Sequence, residues 1–406
     1  MKVLVVKLSA IGDVIHALPA ADILRRALSG CEITWVVEPP ALELLHNNPC
    51  VDKVVVFDKK GLFGSGRDGG ILDRLKGLTA FVSDLRSNRY EAAIDMQGLF
   101  KSALIGALSG AQKRFGFANT REFADSLLTH RLDVGDYFGH DRHIVENNVR
   151  LALFAVRVLG SSASETRDIS IHFPLPPVDA SRRERIDSLL SKFEEQAPVH
   201  STEQMAAAAF ASNTVAGART RSECQVHGAV QPRAVLIPGT TWSTKIWPRE
   251  SWVELAALLQ KHLSMQVMLI GGASEKQRNN EIALAMLGGV PNGQKILDLT
   301  GDTSLLDLMA LFRQIDLVVG GDTGPLHLAS AVGRPLVIGI YGSTPTGRNG
   351  PYGERCHSVS LKLDCQPCFS RRCRFSTIAC LNELSAKQVF QEIETLWTNQ
   401  QRLAER

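Results

Sequence analysis

Four short stretches of this sequence hold side chains able to bind an anion or take a proton, and each follows an apolar run that reads as a buried strand. The richest is Asp322-Thr-Gly-Pro-Leu-His327. Leu317–Val319 form the strand before it, Gly320 and Gly321 allow a tight turn, and Asp322 and Thr323 are capping types for a helix over Leu326–Val332. Such a corner offers free backbone N–H groups at a helix start, a setting suited to phosphate, with Thr323, Gly324 and His327 directed toward it. In Pro238-Gly-Thr-Thr-Trp-Ser-Thr-Lys-Ile-Trp-Pro248 the hydroxyls of Thr240 and Thr241 and the ammonium of Lys245 fall close together after another strand. They suit a diphosphate, and the pattern fits a polar loop with a solvated lysine equally well. Glu275 lies just beyond Gly271 and Gly272. It is placed either to accept from ribose hydroxyls or to complement a helix dipole in its first turn. Asp13, after Gly12 and before His16, could accept the proton of a hydroxyl at the rim of the first strand. Spacing alone favours a helix cap there.

Two further groups are looser. Arg114, Arg121, His143 and Arg150 together could meet an acidic ligand, because guanidinium pairs well with carboxylate, while each alone reads as a surface charge. Cys365, Cys368, Cys373 and Cys380 could hold a structural zinc, but their spacing fits no standard zinc or iron–sulfur pattern, and free thiols are the alternative.

The elements that must position these residues are those of an ordinary globular protein. A chain of 406 residues with 44% apolar and 21% charged side chains supports two full cores. A net charge of +3 gives no argument for nucleic acid. No apolar run approaches the length of a membrane span. Met1–Lys7 reads as a first strand, not a signal peptide, so eight cysteines favour a reducing cytoplasm.

Strands and helices alternate along the chain, the mark of doubly wound parallel sheets whose ligands lie at the carboxyl ends of the strands. The expected division is a first domain over 1–176, a partly flexible linker or insertion over 177–231, a second domain over 232–384 and a C-terminal helix over 385–406 packing back on the first domain. Helix 20–28 is expected to be opened or kinked by Pro19. Residues 59–70 read as a mobile surface loop, and 195–230 as a flexible Ala-, Ser- and Gly-containing insertion.

Taken in order, Val5-Val-Lys-Leu-Ser-Ala-Ile-Gly-Asp-Val-Ile-His-Ala-Leu-Pro19, Asp95-Met-Gln-Gly-Leu-Phe-Lys-Ser102, the 238–248 stretch, Asp322–His327 and Tyr341-Gly-Ser-Thr-Pro345 resemble the ADP-heptose:lipopolysaccharide heptosyltransferases of glycosyltransferase family 9 over nearly the whole chain. The first loop is most similar to the type that places the first heptose on Kdo. The resemblance implies a GT-B architecture, with two Rossmann-like domains facing across a cleft, and an inverting transfer that requires no metal or other cofactor. It implies Asp13 as catalytic base and Lys245, with Thr240 and Thr241, on the donor diphosphate. Glu275 would contact the ribose, and Asp322, Thr323, Gly324 and His327 would form the donor motif. Lys101, Arg121 and His143 fall where basic residues approach the acceptor. Its expected partners are ADP-heptose and Kdo-lipid A, for a monomer lying peripherally on the cytoplasmic face of the inner membrane, without nucleic acid. Transfer to an already heptosylated core, transfer of another sugar nucleotide, and a non-catalytic nucleotide-binding protein are the competing readings.

Overall fold

The computed structural model describes residues 1–58, 71–160, 170–195, 231–289 and 296–404. The loop expected over 59–70 and nearly all of the insertion expected over 195–230 lie outside the described residues. Two six-stranded parallel sheets organise the rest, in agreement with the α/β alternation of the sequence. The first contains β1 (Lys2–Val6), β2 (Glu32–Val37), β3 (Lys53–Val56), β4 (Ala92–Asp95), β5 (Lys113–Phe117) and β6 (His130–Leu132), in the order β3-β2-β1-β4-β5-β6. The second contains β7 (Arg233–Ile237), β8 (Gln266–Leu269), β9 (Ile296–Asp298), β10 (Leu317–Gly321), β11 (Leu336–Ile340) and β12 (Cys356–Val359), in the order β12-β11-β10-β7-β8-β9. The two orders are the same winding, with switch points between β1 and β4 and between β7 and β10. A crevice opens at such a point because the chain leaves neighbouring strands toward opposite faces.

The central strands are mostly apolar because both faces are covered, with charged residues only at strand ends such as Lys2, Asp95 and Arg233. Val3 and Val5 join one core layer, while Leu4 and Val6 join the other. The helices of eight or more residues are α1 (Ile11–Ala27), α2 (Ile71–Ser87), α3 (Phe100–Leu108), α4 (Ile144–Leu159), α5 (Ala180–Glu195), α6 (Arg249–Leu263), α7 (Lys276–Gly289), α8 (Leu305–Phe312), α9 (Gly324–Val332) and α10 (Ala386–Ala404).

Three readings of the sequence change. Helix α1 begins at Ile11 and runs through Pro19, which lies inside it. Its residues from Val14 to Leu24 are buried almost throughout, and packing of that kind overrides an unfavourable residue. Helix α5, expected in a linker, buries Ile186, Leu190 and Phe193 in the core of the second domain, and its Arg185 reaches Asp307 at 2.8 Å. Finally, α10 packs on the second domain and not on the first. Its Val389, Phe390 and Ile393 share a core with Leu255, Ala256 and Leu259 of α6, and the Phe390 ring meets that of His262 at a tilt, with centroids 5.4 Å apart. The apolar stripe of α10 finds the nearest uncovered helix on its own sheet, which removes any need to cross the cleft.

Candidate active site

The loops leaving β1 and β4 meet at the first switch point. Gln97 joins them, its Oε1 accepting from the backbone N–H of Leu8 at 3.0 Å and of Ser9 at 3.4 Å. Beneath it, the Asp95 carboxylate accepts from the N–H of Gln97 at 2.8 Å, the N–H of Gly98 at 3.2 Å and the Ser102 hydroxyl at 2.9 Å. Burial nevertheless pushes Asp95 up to about 6. Lys7, 2% exposed, donates to the carbonyl of Met96 at 2.9 Å, and its ammonium stands 3.8 Å from Asp13 Oδ1. Burial lowers the Lys7 pKa, and Asp13 opposes that shift. Asp13 sits in the first turn of α1, where Oδ2 accepts from the N–H of Ala10 at 3.0 Å. One carboxylate oxygen of Asp13 thus caps α1, and the residue also lines the cleft.

The second switch point supplies the opposite wall. Asp322, at the end of β10, takes Lys245 Nζ on Oδ2 at 2.6 Å and His327 Nε2 on Oδ1 at 3.1 Å. Burial alone would raise the Asp322 carboxyl, but the His327 hydrogen bond and the Lys245 charge outweigh it and hold it well below the usual carboxylate range. Helix α9 starts at Gly324, with Thr323 as its N-cap and Pro325 in its first turn, and all three residues line the cleft. The Lys245 ammonium also lies 4.3 Å from the centre of the Trp242 ring.

The walls touch along α1 and α9. A β-carbon on Gly12 would come within 2.6 Å of His327 Cδ2, and one on Gly324 within 2.8 Å of Ile11 Cβ, so glycine at both positions permits the approach. His16 Nε2 lies 3.1 Å from His327 Nδ1. Arg348, 7% exposed, donates across the seam to the Tyr137 carbonyl at 3.2 Å. His143 caps α4, accepting from Val145 N–H at 3.2 Å, and donates from Nε2 to the Gly350 carbonyl at 2.9 Å. Burial lowers His143 to about 4.

Between the walls is a cavity of about 600 Å³. Asp13, Thr240, Thr241, Lys245, Asp322, Thr323, Gly324 and His327 all line it, so residues chosen from distant stretches come together. Glu275 adjoins the cavity without lining it. Its Oε2 accepts from Gly272 N–H at 2.8 Å, and a β-carbon on Gly239 would overlap its carboxylate. The three basic residues assigned to an acceptor separate. Lys101 pairs with Glu38 at 3.0 Å, and Arg121 stacks at 4.1 Å on Phe138, a cavity-lining ring. His143 is 8% exposed and both its ring nitrogens are engaged, so it belongs to the domain seam and has no free face for an acceptor. Sequence reasoning gave no role to Lys7, His16, Arg348, Trp242 and Arg371, which also line the cavity. Lys7, a charge closing an apolar strand, was the most legible of these.

The zinc expectation is not supported. Among the described residues no group of three or more His, Cys, Asp or Glu side chains is placed to hold a metal, and Cys365, Cys368, Cys373 and Cys380 are free thiols. Nearby backbone N–H groups, those of Ile378 and Phe375 foremost, lower the Cys373 pKa. Burial, with the neighbouring Cys368, Cys365 and Cys373, pushes Cys380 up to about 11.

The profile of glycosyltransferase family 9 (heptosyltransferase) matches residues 78–175 and 179–379, which include the β4 loop of the first wall and the residues of the second. The chain belongs to this family. Lipopolysaccharide heptosyltransferase 1 of Campylobacter coli is 25% identical over 352 residues, 86% of each chain. The Pseudomonas aeruginosa protein of the same name is 28% identical over 380 residues, 92% of this chain and 88% of that one. Escherichia coli heptosyltransferase WaaC with ADP has the same fold, with a TM-score of 0.65 at 23% identity over 98% of this chain and 100% of that one. E. coli ADP-heptose lps heptosyltransferase II gives 0.67 at 18% identity over 99% and 100%. The two sheets of this family 9 glycosyltransferase thus form the GT-B pair, and its cavity is the cleft between them. Among its described residues no helix is long and apolar enough to cross a membrane.

Proposed function

We propose that this family 9 glycosyltransferase moves a heptose from ADP-heptose to the Kdo region of the lipopolysaccharide inner core with inversion, using Asp13 as general base. The observation carrying this reading is a single cavity with Asp13 on one wall and Lys245, Asp322 and Thr323 on the other. An acceptor hydroxyl gives its proton to the Asp13 carboxylate, whose Oδ1 is not engaged by the cap. The hydroxyl oxygen attacks the anomeric carbon from the face opposite ADP, and the bond from that carbon to the β-phosphate oxygen breaks. Charge growing on ADP meets Lys245, the hydroxyls of Thr240 and Thr241, and the N–H groups that open α9 at Thr323 and Gly324. His327 holds Asp322, and Glu275 receives the ribose hydroxyls from beside Gly239. Lys101 and Arg121, on the first domain, steer the acidic acceptor.

Support for heptose and for a lipopolysaccharide acceptor comes from the relatives named lipopolysaccharide heptosyltransferase 1, and support for ADP from the solved relative that holds it. Because that acceptor is lipid-borne, we further propose that the enzyme lies peripherally on the cytoplasmic face of the inner membrane, with a monomer as the working unit.

Release of ADP on mixing the protein with ADP-heptose and Kdo-lipid A is the expected result, dependent on both substrates. Release only with an already heptosylated core would move the acceptor assignment to the second or third heptose. No release with any of these acceptors, or stronger binding of UDP than ADP, overturns the proposal.

A further inference from the structure

We propose that the cysteine-bearing segment 364–374 contributes a phosphoryl subsite to the cavity, with Arg371 as its cation. The inference rests on the reading of this cleft as a nucleoside-diphosphate-sugar site, and names a binding residue outside the motifs that led to that reading.

The segment is fastened to the turn that carries Lys245. Ser243 donates its hydroxyl to the Arg371 carbonyl at 3.3 Å, and the buried Thr244 donates to the Ser370 carbonyl at 2.7 Å. On the other side, the N–H of Phe369 reaches the Ser343 carbonyl at 2.7 Å, and Gln366 Nε2 reaches the Gly342 carbonyl at 2.8 Å. These bonds hold the turn bearing Trp242 and Lys245 against the segment bearing Phe369 and Arg371. The Arg371 guanidinium lies 5.0 Å from the centre of the Trp242 ring, on which Lys245 also rests, and Phe369 meets that ring edge-on at 6.2 Å. Trp242, Phe369 and Arg371 all line the cavity.

Charge identifies the ligand class. Lys7 stands beside Asp13, and Lys245 is bound to Asp322, so two of the lining cations are already opposed by carboxylates. Arg348 and Arg371 line the same cavity with no carboxylate partner among the described residues. Their two positive charges match the two negative charges of a diphosphate diester. Arg348 is buried and committed to the Tyr137 carbonyl and to Asn349 Oδ1, which leaves Arg371, exposed at the rim, as the guanidinium free to turn onto phosphate oxygens. Arg374, three residues on, lies over Phe375 instead and does not line the cavity.

Calorimetric titration with ADP and with adenosine tests the subsite on the full chain. Arg371→Gln should weaken ADP about tenfold or more, in keeping with the loss of a charge-assisted contact, and change adenosine less than about twofold. Arg371→Lys should recover part of the loss, and Arg374→Gln should match wild type. ADP affinity within about twofold of wild type in Arg371→Gln, or an equal loss for adenosine, overturns the subsite. A wild-type preference for UDP, with Arg371→Gln still weakening UDP against uridine, refutes the ADP reading and leaves the subsite standing. Wild-type protein that binds neither diphosphate refutes both.

Discussion

His16 Nε2 lies 3.1 Å from His327 Nδ1, and this one contact joins the helix that carries Asp13 to the carboxylate that holds Lys245. We assign the tautomers from these partners: His327 donates from Nε2 to the Asp322 carboxylate at 3.1 Å, and His16 donates from Nε2 to His327 Nδ1. Among the described residues the buried Nδ1 of His16 has no hydrogen-bond partner. Burial lowers the His16 pKa well below the ordinary histidine value, so His16 serves as a neutral donor. The chain His16–His327–Asp322–Lys245 is intact only while α1 and α9 are in contact, so it reports domain approach to the donor side of the cleft.

Replacing His16 by Phe keeps a ring in the seam and removes the donor. The expected result is a fall in kcat of about tenfold or more with a smaller change in the donor KM, because His16 touches neither substrate in the proposed arrangement. His16→Gln restores an N–H donor and should recover part of the rate. Steady-state kinetics on the three proteins checks this, and a loss seen only in thermal stability would reduce His16 to a packing residue.

Gly12→Ala tests the same seam sterically. The new methyl would meet His327 Cδ2 at 2.6 Å, closer than real side chains approach, so α1 and α9 must separate or His327 must turn. Overpacking of this kind costs about 1–3 kcal/mol. Activity should fall about tenfold or more in a protein that still melts cooperatively. Wild-type activity would mean that the domains do not work in the approach seen here.

Acid should loosen the seam through His143. Its folded pKa, lowered to about 4 by burial, lies below the ordinary histidine value. The unfolded chain thus binds more protons between roughly pH 4 and pH 6.5, and the stabilisation present above that window is lost as pH falls through it. The shift corresponds to about 3 kcal/mol. His16 acts in the same direction. Denaturation curves at pH 7.5 and 5 should show this slope, and His143→Gln, which keeps a donor for Gly350, should flatten it.

Much of this architecture was legible because periodicity and glycine placement report local geometry. Strands buried on both faces gave continuous apolar runs, and the loops after β1, β4, β7 and β10 carried the residues that converge at the two switch points. What was illegible depends on tertiary geometry. Pro19 looks like a helix boundary until the burial of α1 is known. The stripe on α10 could have covered either domain. His143 and Arg121 look alike as basic residues near a cleft, yet one is sealed in the seam and the other stacks on Phe138. Arg371 was hidden inside a cysteine pattern that drew attention to metal, whereas the segment is fastened through Ser243, Thr244 and Ser343.

Asp13 gives the most direct test of the chemistry. Its Oδ2 supports the first turn of α1 through Ala10, and Lys7 Nζ stands 3.8 Å from Oδ1 of a side chain that is 38% exposed. Asp13→Asn keeps an oxygen able to accept from Ala10 and removes the base. Turnover should fall about 10²–10⁴-fold, the usual contribution of a positioned base, while ADP binds nearly as in wild type because the donor contacts lie on the other wall. Asp13→Ala should lose the same rate and also about 1 kcal/mol of stability with the cap. Single-turnover kinetics and ADP titration on both variants separate the two roles. Full turnover in Asp13→Asn would leave Asp13 with the cap alone and require another proton acceptor in the cleft.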